Sequence, residues 1–284
     1  MLFNILGPLE IGGTDEIASP TRRALLTALL LRAPQSVGIG ELSELLWDDP
    51  PASATANIRS HLTGLRRSLD AAVPGLSHRL KTYRGSRSGY TLYVGSEELD
   101  LHLFTMSARR GRTLLMRGEV DEAVAVLEKA LALWRAPFGR DLPPTRWFDA
   151  HATGINSARF DAYQDLFAAL ALADRTELLA YRIESAVAEA PYRQGLWELL
   201  AAVHCIHGNA AGALSAIGRC QRLFADDLGL CLPPRVEAMQ RAALDWNAEE
   251  ARRLVAAHAL SPDAEPLLSG DGPVRERVYC NDTP

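Results

Sequence analysis

The chain has 284 residues, 48% hydrophobic and 23% charged, with a net charge of −5 and a pI near 5.8. That balance is ordinary for a globular protein and leaves room for more than one domain. The longest apolar run, Ala24 to Leu31 interrupted by Thr27, falls far short of the ~20 residues that span a bilayer, so no membrane partner is expected.

Cys205, Cys220, Cys231 and Cys280 are too widely spaced for a disulfide framework. The opening "MLFNILGPLE" lacks the basic start and cleavage pattern of a secretion signal. Reduced thiols and a cytoplasmic location are the expectation. The charge is uneven: residues 55–95 hold seven basic and one acidic residue, a local +6, against −4 for 1–54 and −7 for 96–284. An acidic chain thus carries a basic island.

In chain order, "LFNILGPLEIGG" reads as two short strands, Leu2–Leu6 and Leu9–Ile11, split by Gly7-Pro8 and closed by Gly12-Gly13. Ser19 and Pro20 then open a helix that Pro34 stops. A second helix covers Ile39–Trp47, burying Leu42, Leu45, Leu46 and Trp47. After "DDPP", Ser53 or Thr55 caps a third helix, in which Ile58, Leu62, Leu65 and Leu69 repeat at helical spacing. Leu80 and Thr82, then Tyr90, Leu92 and Val94, alternate as strands do, around a tip with two glycines, Arg84, Ser86 and Arg87. Strands, three helices and a basic hairpin make the winged helix-turn-helix pattern, in which a helix enters the major groove and a wing touches the adjacent backbone or minor groove.

From Asp100 the sequence reads as helical throughout. Residues 174–191 align with 209–226 at an offset of 35, Leu179 on Leu214 and Ala190 on Ala225, and 118–134 has the same character. Small residues within a leucine stripe at this period are tetratricopeptide-like. "WRAPFGRDLPPTRWFD" (134–149) breaks the period as a long irregular connection, and Ser261–Pro284 reads as a mobile tail. The fold class is therefore mainly α: a winged helix-turn-helix with small β-sheets, then an all-α helical-repeat domain. The domains are placed at 1–96, 97–248 and a C-terminal extension 249–284.

On the third helix, Ala56, Ser60, Thr63, Gly64 and Arg67 point away from the buried stripe. Ser60, Thr63 and Arg67 are expected to face base edges, and Arg59 and Arg66 to reach phosphates or flanking bases. Thr55 and Asn57 stand near the helix N-terminus, which favours phosphate. Gly64 costs the helix about 0.5–1 kcal/mol relative to alanine, either to let the backbone approach DNA closely or as a plain weakening. Arg84 and Arg87, with Ser86 between them, are placed on the wing for the minor groove. An arginine-rich helix face alone is more often simply solvated. The hairpin and the basic island reverse that reading, and His61 is read as structural or phosphate-facing.

No residues are paired for catalysis. "GSRSG" (85–89) lacks the lysine and following helix of a phosphate loop, and there is no nucleophile elbow. His204 and His207 in "HCIH" have no second ligand pair at zinc-like spacing, so packing is the preferred reading. An enzyme, a cofactor and a metal site are not expected.

Several stretches in this order resemble one family: "ILGPLEI" (5–11), "RRALLTALLL" (22–31), "ELSELLWDDPPASATANIRSHLTGLRRSL" (41–69), "GYTLYV" (89–94), "ELDLHLF" (98–104), "AVLEKALALWRAPF" (125–138) and "LFADDLGLCLPPRVEAMQRAAL" (223–244). The chain is similar to Streptomyces antibiotic regulatory proteins (SARP), which join an OmpR-type winged helix to a bacterial transcriptional activation domain. The resemblance implies a transcription activator, often of secondary-metabolite genes such as antibiotic clusters. It implies binding to direct repeats in double-stranded promoter DNA, with a dimer on those repeats as one arrangement, and recruitment of RNA polymerase holoenzyme. The alternative is a repeat-based adaptor or ligand-sensing regulator whose helical domain binds a protein or small molecule.

Overall fold

In the computed structural model, residues 1–15, 17–83 and 89–260 are described. Strands β1 (Phe3–Asn4) and β2 (Glu10–Ile11) pair antiparallel, Phe3 opposite Ile11. Gly7 between them holds φ +138, and a Cβ there would lie 3.1 Å from both the Ala136 nitrogen and the Arg135 Cβ. Helix α1 (Pro20–Arg32) starts at the proline and buries Ala24 through Leu30. Helix α2 (Ile39–Leu46) buries Leu42, Leu45 and Leu46, with Trp47 half-buried after it.

Helix α3 (Ala54–Ala72) buries Ile58, Leu62, Leu65 and Leu69, the stripe expected from their spacing. Ser53 occupies its N-cap without bonding a helix amide; its hydroxyl accepts from Asn57 Nδ2 at 3.2 Å instead. A 3-10 turn, Leu76–Arg79, leads into β3 (Leu80–Tyr83), which pairs antiparallel with β4 (Gly89–Leu92), Leu80 opposite Leu92. On β4 the buried residues are Gly89, Thr91 and Leu92 rather than a strict alternation through Tyr90, because Tyr90 also pairs backbone to backbone with Val37.

The remaining helices are α4 (Asp100–Met116), α5 (Val120–Leu131), α6 (Arg146–Leu172), α7 (Leu179–Glu189), α8 (Gln194–Ile206), α9 (Ala210–Leu228), α10 (Pro234–Leu244) and α11 (Ala248–Leu260). Shifted by the offset of 35, the residues of α7 fall within α9, as the sequence alignment expects. The irregular connection ends sooner than expected. Arg146 to Asp149 already belong to α6, whose first turn is held by Thr145: its hydroxyl accepts from the Phe148 amide and its carbonyl from the Asp149 amide.

The chain divides into two compact units, 1–107 with 132–156, and 108–131 with 157–284. This division departs from a boundary at 96/97, and specific bonds explain why. In the first unit the Arg135 amide donates to the Leu6 carbonyl at 2.8 Å, and its guanidinium bonds Pro8 O and pairs with Glu10. The Thr145 hydroxyl donates to Leu45 O at 3.1 Å, and the Arg146 amide to Asp48 at 3.0 Å. Asn156 clamps both backbone groups of Phe138, and Phe104 meets Trp134 edge to face at 5.2 Å. Asp100 is buried and accepts from the amides of Ile5 and Leu6. The segment that breaks the helical repeat is thus part of the winged-helix core.

In the second unit α8 is buried almost all round, from Leu196 to Val203 without a break, the pattern of a central helix. It packs against α7, α9, α10 and α11. Gly111 of α4 lets α5 approach: a Cβ there would lie 2.5 Å from Leu127 Cγ. With Ala248, residues 249–260 of the expected C-terminal extension are helical. They form α11, which buries Ala251, Val255 and Ala259 and packs on α8. The expected tail, 261–284, lies outside the described residues.

Candidate nucleic-acid interface

Thr55, Ala56, Asn57, Arg59, Ser60, Thr63 and Arg67 of α3 are all exposed. At about 100° per residue they form one continuous stripe opposite the core, with Ala56, Ser60 and Thr63 at its centre. The Thr63 hydroxyl bonds back to Arg59 O at 3.1 Å, which fixes its rotamer and leaves an acceptor lone pair outward. Arg67 stands in line with these small side chains and Arg59 at their edge, a surface that can enter a groove while its cations reach phosphates or fork onto guanine. The one carboxylate on the helix, Asp70, is exposed near its end. It accepts from the Ser77 amide at 2.9 Å, and hydrogen bonding from the Ser77 side chain first, then from that amide, holds its pKa below the usual range.

Two expected contact residues are placed differently. Arg66 is half-buried; its Nη2 donates to Thr82 Oγ1 at 2.8 Å and to Leu80 O at 3.3 Å. It ties α3 to β3 rather than standing free. Gly64 is buried, and the Arg22 side chain of α1 lies across it. The single-stripe reading failed there because α3 packs on α1 as well as on α2. The buried arc is wider than one stripe, and Gly64, about 40° round from Ser60, falls inside it. Arg84, Ser86 and Arg87 lie outside the described residues.

Beside Gly64, His61 is half-buried, and burial first, then the Arg22 charge, lowers its pKa. Its imidazole is neutral near pH 7, which leaves it a hydrogen-bonding group and not a cation. Arg22 and the exposed Lys81 on β3 add to the basic surface. Tyr83 and Tyr93, both exposed, meet hydroxyl to hydroxyl at 2.5 Å on the hairpin.

Among the described residues no three His, Cys, Asp or Glu side chains gather as metal ligands. His204 lies on α8 with its ring 3.4 Å from the Asn209 amide nitrogen, and His207 caps that helix. No helix of the described residues is long and apolar enough to cross a membrane.

Comparison with known proteins decides the family. Residues 13–92 match the family "Transcriptional regulatory protein, C terminal", and 99–244 match "Bacterial transcriptional activator domain". The chain belongs to the SARP-type transcriptional regulators. It is 29% identical over 247 residues to transcriptional regulatory protein MoaR1 of Mycobacterium tuberculosis, covering 85% of this chain and 78% of that one. Regulatory protein DnrI of Streptomyces peucetius is 27% identical over 255 residues, covering 86% and 92%. Among solved structures, Mycobacterium tuberculosis EmbR in complex with a low affinity phosphopeptide superposes with a TM-score of 0.80 at 27% identity, over 90% of this chain and 68% of that one. The recognition helix and hairpin lie within the first matched region, and α5 to α10 within the second.

Proposed function

We propose that the chain activates transcription in the cytoplasm by binding double-stranded promoter DNA at direct repeats and recruiting RNA polymerase holoenzyme. The observation that carries the reading is the exposed α3 stripe, which joins the small Ala56, Ser60 and Thr63 to Arg67, has Arg59 at its edge and is acid-free until Asp70. Ser60, Thr63 and Arg67 then read base edges, while Arg59 and the helix N-terminus at Thr55 and Asn57 hold phosphates. Arg84, Ser86 and Arg87 supply the wing. Residues 1–96 carry this DNA-binding role, with 132–156 completing their core, and the helical repeats face the polymerase or a second protomer. Leu178 and Tyr181, 70% and 71% exposed at the start of α7, are large apolar side chains of the kind a protein partner covers. The regulated genes are proposed to be a secondary-metabolite cluster.

Footprinting on promoters of neighbouring genes, with and without RNA polymerase, tests the proposal. A protected direct repeat extended by polymerase is the expected result. Absence of any sequence preference at physiological salt would overturn it in favour of an adaptor role.

A further inference from the structure

We propose that Arg22 is a DNA phosphate anchor on α1, and that Gly64 is the notch that seats it. This rests on the DNA-binding reading and adds a contact from outside the recognition helix and the hairpin. The fit is specific. A Cβ at position 64 would lie 2.6 Å from both Cζ and Nε of Arg22 and 2.9 Å from its Nη2. Only glycine leaves that space, although it lowers helix propensity in mid-helix.

The guanidinium gains no protein acceptor by lying there. Its Nε is buried without a hydrogen-bond partner, and the group makes no hydrogen bond or ion pair among the described residues. The Nε of its neighbour Arg23 also lacks a hydrogen-bond partner, but that guanidinium donates through Nη1 to Ile17 O at 2.9 Å and pairs with Asp141 at 3.5 Å. Arg22 is therefore held in place by packing, with its buried Nε–H unmatched and the rest of its guanidinium at the half-exposed surface. Buried donors are ordinarily matched, and a phosphodiester offers two anionic oxygens in the geometry a guanidinium takes best.

Position supports the same ligand. Gly64 lies on the flank of α3 that carries Asn57 and His61, beside Ser60 on the exposed stripe. On the opposite flank Arg66 is tied to β3. A phosphate running past the α1 side of a helix in the groove meets Arg22, and neutral His61 beside it adds a hydrogen bond without competing for the charge.

The test uses the full chain and a labelled duplex that the wild type selects from a random library, with affinity followed across salt concentrations. Arg22→Gln keeps a polar side chain, though a shorter one, and removes the charge. Its slope of log affinity against log salt should be shallower by about 0.9, with affinity weakened uniformly across sequences. Arg22→Lys should retain the wild-type slope. Gly64→Ala should expel the guanidinium and lose the same increment while its melting temperature holds or rises. The double variant Arg22→Gln/Gly64→Ala should lose nothing more. A wild-type slope in Arg22→Gln overturns the anchor, and a wild-type slope in Gly64→Ala overturns the notch. If the wild type selects no sequence, the DNA-binding reading itself fails, a result separate from both.

Discussion

Glu198 sits on the central helix α8, 2% exposed, with Arg235 Nε 3.2 Å from its Oε2. Burial pushes its pKa from 4.5 up to about 7, against the opposing pull of Arg235. The folded-state pKa therefore stands above the unfolded one. Between about pH 4.5 and 7 the unfolded chain binds fewer protons, so stability falls as pH rises through that window and levels off above it. At 1.36 kcal/mol per unit, the shift from 4.5 to about 7 amounts to about 3 kcal/mol. Glu198→Gln mimics the protonated carboxyl at every pH. It should match the wild type near pH 4.5 and exceed it by about 3 kcal/mol at pH 8, or roughly 6–12 °C in melting temperature for a unit of this size. Asp165, whose pKa burial also raises, to about 6, is common to both proteins and drops out of the difference. Thermal and urea unfolding by circular dichroism at half-unit pH steps measures it. A difference that does not vary with pH, or a wild type more stable than the variant at pH 8, would refute the reasoning.

Other outcomes follow from the DNA-facing unit. Arg67→Ala should weaken binding to a selected site by about 1–3 kcal/mol and relax preference at one base position, read by competition among single-base variants. Arg66→Ala breaks the two bonds to Leu80 and Thr82 and should lower stability by about 1–2 kcal/mol in urea melts, which a solvated phosphate-binding arginine would not do. A fragment ending at residue 96 lacks Asp100, Arg135 and Thr145 and their bonds to the first 48 residues. It should show reduced cooperativity and a lower melting temperature than a fragment ending at 156, by calorimetry.

The parts of this structure that were legible from sequence are those set by local chemistry. Pro20 and Pro34 bracket α1, the Ile58–Leu69 stripe fixes the inner face of α3, and the 35-residue offset pairs α7 with α9. Residues 132–145 were not legible as core because they attach through backbone carbonyls, Leu6 O, Pro8 O and Leu45 O, and carbonyls carry no residue identity. Helix α11 falls where the chain reads as helical up to the tail, but its packing on α8 was not legible because its buried positions are mostly alanine, Ala251 and Ala259 around Val255. On α3 the exposed residues were placed correctly where one buried stripe sufficed. Gly64 and Arg66 were not, since each answers to a partner distant in sequence: Arg22 on α1, and Thr82 on β3.

The bond from the Arg135 amide to Leu6 O has a consequence for how the protein is made. Its two ends are separated by well over a hundred residues, so the first strand turn cannot be sealed until the chain past residue 135 has left the ribosome. At about 5–20 residues per second, the helix-turn-helix is complete in sequence several seconds before its own core is. During that interval the residues that Asp100, Arg135 and Thr145 later cover stay open, and closure carries the entropy cost of a long loop. The first unit is thus closed only after the chain past residue 135 has been synthesised, which ties its complete folding to translation well beyond α3 and the hairpin.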